Sequence, residues 1–258
     1  MIEGVLIHAL VCFEVTLVSF WLAMKMFVKH DPGDQRYLIS ISFGLFWMLF
    51  GISYLCISLY LLSAAYHGAD WASATFLYCG FSSFALVTAP LAFFIVQILI
   101  GNRKISLPAS LAFMMIGLIY IILLFRYGVE VSDPGYWSVN FRMHHLLVLM
   151  FVYAIYIPAV AMIMALIPFI ALKTIPALTK YKIAMSLISL SIVYGFTLLT
   201  ILHLGDLDGL LFDIMILIGT LVAYVGYFPP ECLVEWFRLK DPAIPEFENQ
   251  QDWGCDEL

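Results

Sequence analysis

Charge is scarce in this sequence. Asp, Glu, Lys and Arg make up only 12% of its 258 residues, whereas 64% are hydrophobic and the mean hydropathy is +1.00. A water-soluble domain carries about twice that share of charge, so the composition excludes an ordinary soluble fold. Basic residues are fewer than acidic ones, 12 against 18 with a net charge of −6. No basic stripe is present to displace counterions from phosphates, which excludes nucleic acid as a partner. The five cysteines (Cys12, Cys56, Cys79, Cys232, Cys255) are scattered without a C-x-x-C pair, so neither a disulfide framework nor a structural zinc site is indicated. H-x-x-x-H, H-E-x-x-H and G-x-S-x-G spacings are all missing, and no metal ligand set or catalytic residue is assigned. No basic n-region precedes the first apolar run, which is also longer than a signal h-region, so it reads as a retained helix.

Long apolar runs are what the sequence does have. Seven stretches reach the roughly 20 residues needed to cross the hydrocarbon, near 3–27, 38–66, 73–100, 107–126, 145–172, 182–203 and 209–229. They are continuous rather than alternating, which predicts helices instead of barrel strands. Backbone groups in lipid must be satisfied within the segment, so the expected fold is all-α: an integral membrane seven-helix bundle forming one domain over 1–230. The remaining residues, 231–258, form a short tail. Pro229 and Pro230 should break the last helix, Cys232–Arg238 suits an interfacial segment, and the acidic end reads as solvated chain or as a docking tail.

Sidedness follows from the cations. Lys25, Lys29, Arg36, Arg103, Lys104, Lys173, Lys180, Lys182, Arg238 and Lys240 fall on one face of the predicted topology, and only Arg126 and Arg142 on the other. The positive-inside rule then puts the N-terminus outside and the C-terminus in the cytoplasm of a multi-pass cell-membrane protein.

Ionisable groups inside the spans are functional candidates, because each is costly in lipid. Glu14 lies near mid-depth on a stripe with Glu3, Leu10 and Trp21 that is expected to face the bundle interior. His8, His203 and Asp213 occupy the outer half, where a first helix beside the seventh would gather them around an outward-facing cavity. Interfacial anchoring explains His8 and His203 as well. Tyr54, Tyr156 and Tyr194 sit deeper, with Trp47 and Tyr153, and their hydroxyls need partners. The longest outer connector, Gly128 to His144, suits a lid, with Arg142 and Arg126 available to an anionic ligand. Pro90, Pro158 and Pro168 are expected to kink their helices and suit hinges.

Seven helices with this orientation resemble the layout of rhodopsins and G-protein-coupled receptors. Helix seven has no lysine between Gly209 and Phe228, so no Schiff-base retinal is expected, and no other cofactor is assigned. The stretches Tyr224-Val225-Gly226-Tyr227-Phe228-Pro229-Pro230-Glu231 and Thr88-Ala89-Pro90-Leu91-Ala92-Phe93-Phe94 resemble the seven-helix sensor region of some prokaryotic histidine kinases. That resemblance implies a receptor-like sensor that binds a small or lipidic ligand. With no kinase-like stretch after the last span, it would signal through a separate cytoplasmic partner. A proton-coupled transporter using Glu14, or a membrane-embedded hydrolase holding metal with His8, Glu14, His203 and Asp213, are the alternatives.

Overall fold

The computed structural model describes residues 2–28, 35–68, 70–172, 177–202 and 206–236. His203 and the acidic tail lie outside them. The helices are α1 (Ile2–Val28), α2 (Gln35–His67), α3 (Trp71–Ile100), α4 (Arg103–Tyr127), α5 (His145–Met150), α6 (Ile157–Leu172), α7 (Ala177–Leu202), α8 (Asp206–Tyr227) and α9 (Glu231–Trp236). A π-helical turn, Phe151–Tyr156, joins α5 to α6 into one span. Among the described residues, seven helical spans are therefore long and apolar enough to cross a membrane, and the protein is a multi-pass helical membrane protein. Each predicted run coincides with one span, with ends shifted by a few residues.

The π turn has a local cause. Pro158 lacks the N–H that would bond the Ala154 carbonyl, and its ring would collide with that carbonyl in an α-helix. Widening the preceding turn relieves the clash, and the Ile157 N–H bonds the Val152 carbonyl five residues back.

Packing closes the spans into a ring. α1 lies against both α2 and α8, α8 against α7, α7 against α6, and α3 against α2, α4 and α6. The first and last spans are thus neighbours. On α1 the inward face is Val5, His8, Cys12, Val15, Ser19, Leu22 and Met26, whose steps of three and four make a coiled-coil-like seam. Small residues let the helices close up, since lipid tails supply no hydrophobic drive between helices. Gly44 packs under the Phe27 ring and Gly51 under the Phe20 ring. Ser53 donates to the Gly80 carbonyl (2.9 Å) and Ser58 to the Ala9 carbonyl (2.8 Å), each tying two helices together.

Below these ties the interior is aromatic. Phe43, Phe46 and Phe50 on α2 stack in series and on Phe94 of α3 and Tyr194 of α7, and Trp47 meets all three phenylalanines edge-on. The outward faces carry exposed apolar side chains such as Ile122, Phe125, Met164 and Leu211, as a lipid-facing surface requires.

α3 begins with a capping box. The Ser73 N–H donates to the Asp70 carboxylate (2.8 Å), and the Asp70 N–H donates to the Ser73 hydroxyl (3.1 Å). That backbone bond holds the Asp70 carboxyl below its ordinary range. A depressed folded-state pKa means the cap contributes fully above the unfolded value and loses its contribution as pH falls through the folded one. Acidification and Asp70→Ala are both expected to lower the amide-exchange protection factors, taken relative to the intrinsic rate at each pH, of Ser73 and its neighbours. Unchanged exchange in the variant would show the cap to be dispensable.

Candidate functional site

The long connector is not an irregular loop. β1 (Val129–Pro134) and β2 (Val139–Met143) form an antiparallel hairpin that pairs Val131 with Phe141 and Pro134 with Val139. The Gly135 N–H closes its turn on the Ser138 carbonyl (2.8 Å). Two short strands thus accompany an otherwise all-α bundle. The hairpin is seated on the bundle end by Tyr60, which donates to the Val139 carbonyl (3.0 Å), and by the Val129 N–H, which donates to the Tyr78 hydroxyl (3.0 Å). Phe141 packs on Phe81. A side chain at Gly4 would collide with the Tyr136 carbonyl, so only glycine lets the turn rest directly on α1.

Under this hairpin lies a buried polar cluster. His8 Nε2 is 2.7 Å from Asp213 Oδ2, joining α1 to α8, and both side chains are almost fully buried. Cys12 donates its thiol to the same Oδ2 (3.3 Å), and Tyr54 of α2 donates its hydroxyl to Oδ1 (3.1 Å). His8 Nδ1 is 3.1 Å from the Trp137 carbonyl of the hairpin turn. A carbonyl can only accept, so Nδ1 carries a proton. Nε2 and Oδ2 then need one further proton between them, because two lone pairs at 2.7 Å would repel. His8, Cys12, Tyr54 and Asp213 therefore form a closed, fully satisfied network. Among the described residues it includes the one ion-pair contact.

Beside the network is a cavity of about 50 Å³, lined by Tyr54, Asp213, Thr197, Ser53 and apolar side chains including Phe81 and Phe84. That volume holds a few waters.

The sequence-predicted residues divide. His8, Tyr54 and Asp213 come together. Tyr194 is buried, and its hydroxyl has no partner among the described residues; Tyr156 packs on it at 6.2 Å between ring centroids. Both stand away from the cluster's bonded groups. Arg142 is exposed on β2 opposite Glu130. Tyr153 is corrected from the interior to the outside, at 67% exposure. Glu14 is corrected as well. It is exposed, as are Glu3, Leu10 and Trp21, so the predicted stripe exists but points outward. α1 spends its opposite face on α2 and α8 through the His8–Cys12–Val15 seam, which turns Glu14 away. A Glu14-centred transport path loses its premise.

Two participants were missed. Cys12 sits one helical turn after His8, and that i, i+4 spacing was the available signal. The Trp137 carbonyl left no signal, since backbone groups are invisible to residue type. No family model matches the chain, and neither a curated protein nor a solved structure shows significant similarity to it. The site is therefore read from its own chemistry.

Proposed function

We propose that the protein is a receptor-like membrane sensor, in which the hairpin and the His8–Asp213 network form a latch that a small or lipidic ligand disturbs. The observation that carries this reading is the convergence of α1 and α2 on the Asp213 carboxyl group of α8, with the hairpin turn bonded to the same network through His8. Any molecule that lifts the hairpin removes the Trp137 bond and loosens the joint between the first and last spans. Interior ring stacking below the cavity favours a device that transmits movement over one that passes solute. The cation distribution supports an outward-facing hairpin and a cytoplasmic α9. The π turn before Pro158, and Pro90 beside an apolar groove of about 390 Å³ between α2, α3 and α4, give the helices places to bend. A cytoplasmic partner would read the displaced ends.

Amide exchange of the protein in nanodiscs, with a panel of small solutes and amphiphiles, tests this. A ligand is expected to alter protection in the hairpin and, together with it, at the far ends of α6 and α8. Gly4→Val, which unseats the turn, is expected to produce the same far-end change without ligand. Changes confined to the hairpin, or solute accumulation in proteoliposomes, would overturn the reading.

A further inference from the structure

We propose that His8, Cys12 and Asp213 form a binding site for a divalent transition-metal ion of the zinc type. One donor atom from each residue lies within 4.8 Å of the other two, and all three side chains are buried. A nitrogen, a thiol sulfur and a carboxylate oxygen form the borderline-to-soft set that selects zinc or cobalt over calcium or magnesium. His8 and Cys12 stand four residues apart on α1, so a single helical face presents both.

Tetrahedral bond lengths of about 2.0–2.3 Å place neighbouring donors about 3.3–3.7 Å apart. The present 2.7 Å between His8 Nε2 and Asp213 Oδ2, and 3.3 Å between Cys12 Sγ and the same oxygen, need only small side-chain adjustments to reach that spacing. Outer partners are already in place. The Trp137 carbonyl holds the proton on Nδ1, so Nε2 is the atom turned toward the other two donors, and Tyr54 orients Asp213 through its second oxygen. Such outer bonds fix the ligand geometry of metal sites. The adjoining cavity, lined by Tyr54 and Asp213, offers room for water as a fourth ligand.

Charge favours the exchange. In the hydrogen-bonded state the imidazole and carboxyl share one proton beyond that on Nδ1, Cys12 is a thiol, and the cluster is neutral. Binding a divalent ion releases the shared proton and the thiol proton, forms bonds from the metal to Nε2, Sγ and the carboxylate, and leaves the cluster neutral again. Two protons leave as two positive charges enter, so no net charge is buried in the low-dielectric interior. The site stands whether or not the protein is a sensor.

Cobalt(II) is the probe. The full chain, purified and stripped with chelator, is expected to take up one Co²⁺ with a sulfur-to-cobalt charge-transfer band, and Zn²⁺ is expected to displace it. Cys12→Ser should abolish that band, while Cys232→Ser leaves it intact. Tyr54→Phe should keep the band and weaken Zn²⁺ binding about 10-fold or more, as loss of an outer-shell bond does. If Cys12→Ser does not fold, Asp213→Glu, which retains a carboxylate, reads the same site through a shifted cobalt spectrum. Absence of uptake by the folded protein, or a band that survives Cys12→Ser, would overturn the proposal.

Discussion

Asp213→Ala is expected to cost about 3–5 kcal/mol of stability, the usual penalty for breaking a buried pair by removing one partner. For a chain of this size that corresponds to a fall in thermal midpoint of about 10 °C. The size of the effect comes from what is left behind. His8 keeps its bond to the Trp137 carbonyl but loses the carboxyl group at Nε2, and the Cys12 thiol and Tyr54 hydroxyl lose their acceptor at the same time. Three buried polar groups lose a partner at once. Replacing both His8 and Asp213 by leucine is expected to recover only the His8 share of the loss, because the Cys12 thiol and Tyr54 hydroxyl still lack their acceptor. A double-mutant cycle read by thermal unfolding in detergent separates the cases. If the double variant is as unstable as the sum of the single ones, the two residues are not coupled.

Gly117→Val is the second large effect, and its origin is steric. A Cβ at Gly117 on α4 would sit 2.7 Å from the Ala85 carbonyl oxygen of α3, and a backbone atom in a helix cannot swing aside as a side-chain end can. The helices must separate along that contact, at a cost of about 1–3 kcal/mol. Dispersion contacts are also lost along α3 and α4 in a setting where packing is the main cohesive force. Gly195 on α7 is the control, since nothing lies within 4 Å of its added Cβ. Gly195→Ala is expected to be neutral, or to stabilise by up to about 1 kcal/mol through helix propensity. Equal losses from the two substitutions would mean that propensity and not close approach governs these positions.

The seven spans were legible because hydropathy over 20 residues reports membrane crossing directly. Which face of each span turns inward was not. In a bilayer both faces are apolar, so the contrast that orients a soluble helix is missing. Glu14 illustrates the failure: an argument from the cost of charge placed it inside, yet steric fit between α1 and its neighbours oriented the helix. The hairpin carried a readable signal, since Val129-Glu130-Val131 and Phe141-Arg142-Met143 alternate around Pro134-Gly135 in the manner of strands. Reading that segment only as a connector hid it. His8, Asp213 and Tyr54 were found because polar groups in apolar runs are rare. Their mutual contact depended on α1 and α8 being neighbours, which no pattern within a single span reveals.

The widened turn in the fifth span carries a consequence for phase. Leu147, Phe151, Ile155, Ala159 and Ile163 are buried, an interval of four residues throughout. In a regular α-helix that interval precesses about 40° per step, so the row would wind well off the interior over its length. The extra residue accommodated between Phe151 and Tyr156 counter-rotates it and keeps the row buried from Leu147 to Ile163. Excising one residue there would leave the two halves in phase, whereas relaxing the turn to ordinary α geometry with every residue retained would swing His145–Met150 by about 100° relative to Ile157–Leu172. The strands anchored just ahead of His145 would be carried with it.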